Sequence, residues 1–96
     1  MNSTQLLKVL AVDRRSYIFD DVGSGSIVMK TAQGEDMKLY DEEGRQIDSR
    51  VPYGLIEPLI DQGYLNQDEK SSRIYRISYS GLKAVRGGDA DDTGNG

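Results

Sequence analysis

Glycine-marked turns cut this chain into short pieces. Gly23-Ser24-Gly25, Gln33-Gly34, the run Asp41-Glu42-Glu43-Gly44 and Gly63 each interrupt the apolar pattern, so the elements between them must be brief. Across these breaks the hydrophobic period changes from helical to alternating and back. Leu6, Leu7, Val9 and Leu10 recur at helical spacing behind Ser3 or Thr4. Either residue is a good N-cap, and a helix is predicted over 4–12. Asp13-Arg14-Arg15 closes it, with the arginines placed against the negative end of the helix dipole. Tyr17 and Phe19 alternate with polar neighbours, and Ile27-Val28 follows the glycine turn. That pattern predicts a hairpin. Met37, Leu39 and Tyr40 predict a third strand, with Arg45-Gln46-Ile47 as a short return arm.

Behind the caps Asp48 and Ser49, apolar residues fall at Val51, Leu55, Ile56, Leu59 and Ile60. Read as i, i+4, i+5, i+8 and i+9, they predict one continuous apolar stripe on an α-helix. Pro52 suits its first turn. Pro58 does not suit its middle, because proline removes a backbone bond and clashes with the carbonyl four residues back. A kink at Gly54 or a break near Glu57 would relieve this. Gly63 ends the helix. Tyr64-Leu65, a polar loop over 66–72 and an alternating run over 73–79 predict a two-stranded wing. Ser78 or Ser80 then caps a last helix over 81–86 that buries Leu82 and Val85.

The expected fold class is therefore α+β, in the order helix, β-hairpin region, helix, two-stranded wing, short C-terminal helix. The stretch 55–85 resembles the second half of a winged-helix domain, and a single winged-helix-like domain is expected over 1–86. A generic α+β domain is the alternative. The Gly- and Asp-rich remainder, 87–96, is expected to be a disordered tail, being too polar to offset the entropy of ordering it. A narrower resemblance rests on Leu6-Leu7-Lys8-Val9-Leu10-Ala11-Val12-Asp13-Arg14-Arg15, Leu39-Tyr40-Asp41-Glu42-Glu43-Gly44 and Tyr75-Arg76-Ile77-Ser78. In these runs the chain resembles the small YjhX-type proteins described as candidate toxins. That resemblance implies a winged-helix-like fold and transfers no functional residue. The acidic balance and the tail depart from it.

At 96 residues the chain has the length of one domain, and such a domain buries only about 60–65% of its unfolded surface. It contains no cysteine and no histidine. Disulfides, thiolate chemistry, the commonest general base and the commonest metal ligand are thereby excluded. Carboxylate pairs such as Asp20-Asp21 and Glu35-Asp36 are adjacent in sequence, and adjacent residues in a strand point to opposite faces, so such pairs rarely converge. Asp41-Glu42-Glu43-Gly44 lacks the alternating ligands of a calcium loop, and Gly23-Ser24-Gly25 lacks the context of a phosphate loop. No enzymatic activity, metal, cofactor or small-molecule substrate is expected. No apolar run is long enough to span a bilayer and no signal peptide is legible, so a cytoplasmic protein is expected.

Charge is unevenly spread along a chain of net charge −4. Segment 13–43 carries eight acids against four bases, whereas 66–86 carries five bases against two acids. The predicted function is a small regulator or inhibitor that binds a protein partner or itself, of the kind made by phages and mobile elements. The candidate contact residues are Tyr53, Glu57 and Asp61 on the polar side of the predicted helix, Tyr79, and Asp20 and Asp21 of the acidic hairpin. Tyrosine offers stiff contact area with a polar tip, which suits interfaces. The alternative is a winged-helix DNA-binding regulator whose basic wing uses Lys70, Arg73, Arg76 and Lys83. A toxin-like protein is a third reading, differing from the first only in its target.

Overall fold

A computed structural model describes residues 1–93, with side chains described through Arg86. The elements are α1 (Ser3–Val12), β1 (Tyr17–Asp21), β2 (Ser26–Lys30), β3 (Leu39–Tyr40), β4 (Gln46–Ile47) and β5 (Arg50–Pro52). A 3-10 turn (Tyr53–Leu55), α2 (Glu57–Asp61), β6 (Leu65–Gln67), β7 (Ile74–Ile77) and α3 (Tyr79–Thr93) follow. Three helices and antiparallel sheets make the chain an α+β fold.

Five strands form one antiparallel sheet in the order β5-β2-β1-β7-β6. The β1–β2 hairpin is in register from Tyr17↔Lys30 to Asp21↔Ser26. The β6–β7 hairpin, the segment expected from sequence as a wing, pairs Leu65 with Ile77 and Gln67 with Tyr75. Strand β1 joins the two hairpins by pairing Ile18 with Tyr75. One face of this sheet takes the helices. Leu6, Leu7 and Leu10 of α1 pack with Ile18, Ile27, Met29, Ile56, Leu59, Ile77 and Leu82 in one core cluster. Burying a leucine in this way contributes about 1.5–3 kcal/mol. On the opposite face, Val28, Phe19 and Ile74 share a row set by the register and lie outside that cluster. Charged side chains flank the row. Arg50 binds Asp21 at 2.6 Å, and the Arg76 guanidinium lies 5.1 Å from the centre of the Tyr17 ring.

Helix α1 starts one residue earlier than its sequence suggests. Asn2, rather than Ser3 or Thr4, is the cap: its Oδ1 accepts the Gln5 N–H at 2.8 Å while Gln5 Oε1 accepts the Asn2 N–H at 2.9 Å. This reciprocal pair is a capping box. It frees the Ser3 hydroxyl to donate to the Leu55 carbonyl oxygen at 2.6 Å, which ties α1 to the 3-10 turn.

The continuous helix expected across Val51, Leu55, Ile56, Leu59 and Ile60 is not formed. Val51 lies in β5, paired with Ile27, and α2 begins only at Glu57. Proline explains both ends of the gap. A residue before proline is driven toward extended backbone, so Val51 before Pro52 suits a strand. Pro58 then falls in the first turn of α2, where its missing N–H is no loss. The apparent helical stripe is thus a strand residue followed by a short helix. The break near Glu57 is the outcome realised.

Gly63, at φ +77°, ends α2 in the left-handed region. The wing returns to Ser78, which caps α3 by accepting the Gly81 N–H at 3.0 Å. Helix α3 extends to Thr93, past the expected end at Arg86. For the tail expected over 87–96, the side chains and all of 94–96 lie outside the described residues.

Candidate functional site: the groove beside helix α1

After β2 the chain folds back beside α1. Thr31 N–H donates to the Glu35 carbonyl at 2.8 Å, and Met37 N–H to the Met29 carbonyl at 2.9 Å. Lys30 and Asp36 close the loop as an ion pair at 2.7 Å. The β3–β4 arm follows. Its turn is organised by Asp41, whose Oδ1 accepts the Glu43 N–H at 3.0 Å and the Arg45 N–H at 2.9 Å. Leu39 is buried at the base of the arm, with Met37 and Ile47 packed against the core.

Between this loop, the arm and α1 runs an open groove of about 520 Å³, with Val9, Val12, Met37 and Tyr40 among its lining side chains. Val12 is 88% exposed and Tyr40 57% exposed. Met1, Val12 and Tyr40 are three of the five exposed large hydrophobic side chains among the described residues, and all three line this one groove. The other two, Val22 and Tyr79, stand elsewhere. A single exposed apolar residue is ordinary; several around one concavity mark a contact surface. A neighbouring depression of about 490 Å³ shares Met1, Val9 and Tyr40 and extends the groove to the acidic tip Asp41, Glu42 and Glu43. Arg45 pairs with Asp41 and with Glu43, each at 3.1 Å.

The residues singled out from sequence are distributed differently. Tyr53 is half-buried in the 3-10 turn and packs against the core rather than standing on a polar helix face. Burial pushes its phenol pKa up, with Tyr75 close by and the carboxylates of Asp20 and Glu57 acting in the same direction. Asp61 is exposed on α2 one turn beyond Glu57. Asp21 is committed to Arg50, whose side-chain hydrogen bond holds its carboxyl below the usual carboxylate range. Tyr79 is 74% exposed at the start of α3, with Lys83 Nζ 5.9 Å from its ring centre.

Of the basic set, Lys70 and Arg73 are exposed at the wing turn. Arg76 is held by the Arg15 carbonyl at 3.0 Å and by Asp68 at 3.4 Å. The backbone N–H of Lys70, and then Arg76, hold the Asp68 carboxyl below its ordinary range. Ser80 and Lys83 have S-x-x-K spacing, but no hydrogen bond joins them among the described residues, and Lys83 is turned to Tyr79. Among the described residues no group of three or more potential ligands could hold a metal ion, and no helix is long and apolar enough to cross a membrane.

Sequence reasoning missed the groove because its walls come from two periods. Val9 and Val12, spaced i and i+3, form a second apolar row beside Leu6, Leu7 and Leu10, and that row was the available signal. Tyr40 carries no such mark. Comparison with protein-family models, with curated proteins and with solved structures finds no match to this chain.

Proposed function

We propose that this protein is a non-enzymatic regulator that acts in the cytoplasm by holding a protein partner in the groove beside α1. The gathering of Val12 and Tyr40, both strongly exposed, around one concavity carries this reading. Leaving such side chains in water forgoes the apolar burial that drives association. Tyrosine at the rim adds rigid contact area and a hydroxyl for the partner's polar groups.

In fold terms the reading retains a winged-helix-like arrangement in its second half, with α2 leading into the β6–β7 wing and α3 following. The helix before the wing has only five residues, about 7.5 Å of axis. That is short for a helix that reads a DNA groove, so protein binding takes precedence over DNA binding through Lys70 and Arg73.

The test is affinity capture from host lysate on tagged protein, with and without nuclease. A stoichiometric protein that survives nuclease and is lost with Val12→Asp supports the reading. Recovery of nucleic acid alone, or of partners that vanish with nuclease, replaces it with the DNA-binding alternative.

A further inference from the structure

Val12 and Asp13 line a second concavity as well as the first. It has a volume of about 630 Å³ and lies between the end of α1, strand β7 and helix α3. Among the described residues, Arg14, Arg15, Arg76 and Arg86 line it with Asp13 as the one carboxylate. Thus four of the twelve basic residues of a chain with net charge −4 converge on one hollow. Arg15 is paired with Asp13 at 3.2 Å and Arg76 with Asp68. Arg14 has no ion pair among the described residues.

The apolar and arginine-lined hollows meet at Val12, so one ligand can use both. At the far end, beyond Tyr40, lie Asp41, Glu42 and Glu43. The composite surface is therefore polarised: arginines at one end, a largely apolar middle that includes Lys38, and at the other end three carboxylates, two of them paired with Arg45, with Lys8 nearby. Guanidinium groups bind carboxylates in paired, planar geometry, while the tip, net acidic with Glu42 outside the Arg45 pairs, disfavours them.

We infer that the partner segment held beside α1 is an apolar peptide with aspartate or glutamate clustered at one end, the acids on the Arg14–Arg86 hollow and the apolar side chains against Val12 and Tyr40. This rests on the groove reading given above and adds the partner's chemistry and direction. A single-stranded nucleic acid fits less well. Its backbone charge runs the whole length of the strand and would meet the acidic tip, and Tyr40 is the one aromatic face along the groove for a base to stack on.

The experiment is selection of a random 12-residue display library on the full chain, with a 20-nucleotide single strand as competitor. Enriched peptides are expected to combine Leu, Phe or Trp with terminal Asp or Glu. Arg14→Glu together with Arg86→Glu should weaken the best of them by about ten-fold or more at low salt, and Val12→Asp should abolish binding. Apolar peptides enriched without acids, or undiminished by the arginine changes, overturn the acidic chemistry and leave the groove reading standing. No enrichment overturns both. Displacement of every peptide by the oligonucleotide, with its own binding lost in the arginine variant, overturns the peptide in favour of nucleic acid.

Discussion

The Ser78 hydroxyl donates to the Gly63 carbonyl oxygen at 2.6 Å, fastening the start of α3 to the end of α2 across the base of the wing. The Ser78 Oγ in turn accepts the Gly81 N–H, and the Ser78 N–H donates to the Tyr64 carbonyl at 2.9 Å. Ser78 is buried, so removing its hydroxyl leaves a carbonyl and an N–H without partners. Ser78→Ala should lower stability by about 1–3 kcal/mol, seen as a shift in urea midpoint with unchanged slope. A variant as stable as the parent would mean that water reaches this junction.

Gly81 sits in the same junction. A Cβ there would collide with the Tyr64 carbonyl oxygen and meet the Ile77 side chain at 2.8 Å. Alanine normally favours a helix by about 1 kcal/mol over glycine, yet here the backbone must move. Gly81→Ala should destabilise by about 1–3 kcal/mol. Gly54→Ala, with nothing within 4 Å of its Cβ, should be close to neutral. Thermal melts of the pair decide it, and equal midpoints would count against this close packing.

Asp21 and Arg50 link β1 to β5 across β2, on the sheet face opposite the helices. The folded chain holds the Asp21 carboxyl below its ordinary range, chiefly through the Arg50 hydrogen bond. On acidification the unfolded chain therefore takes up this proton first. The pair's contribution is present in full above the unfolded pKa of about 4 and is lost as pH falls through the lower folded value. Asp21→Asn should be less stable than the parent near pH 6 and indistinguishable from it at the acid end. Both groups are partly exposed, so added salt should shrink the difference. A difference that persists at the lowest pH would assign the effect to packing.

Pro58 tests how the chain breaks before the wing. Inside a continuous helix a proline costs about 3 kcal/mol, and its replacement by alanine would stabilise by that amount. In the first turn of α2 no bond is regained and the unfolded chain gains freedom, so Pro58→Ala should change stability by less than about 1 kcal/mol. A large gain in stability and helical circular dichroism would restore the continuous helix.

Much of this fold can be read from residues. The Gly23-Ser24-Gly25 hairpin, the β3–β4 arm, the Gly63 stop, the β6–β7 hairpin and the Ser78 cap all follow from local chemistry that tertiary contacts reinforce. Val51–Ile60 misleads because helical spacing can arise from a strand and a short helix placed end to end, and the two prolines decide between them. The groove was less legible. Tyr53 looks exposed only if its helix is continuous, and Asp21 looks free only until Arg50 is brought beside it from a distant part of the chain. Val12 and Tyr40 come together through the path of the 31–47 segment and the end of α1, which no local pattern encodes.

The most direct test of the groove is the affinity of the captured partner for two paired variants, measured by titration calorimetry. Val12→Asp with Tyr40→Ser should weaken binding at least about a hundred-fold, as loss of central contacts does. Glu57→Gln with Asp61→Asn should leave it within about two-fold. The reverse pattern, binding lost with Glu57 and Asp61 but kept without Val12 and Tyr40, would contradict the groove and move the contact surface to α2.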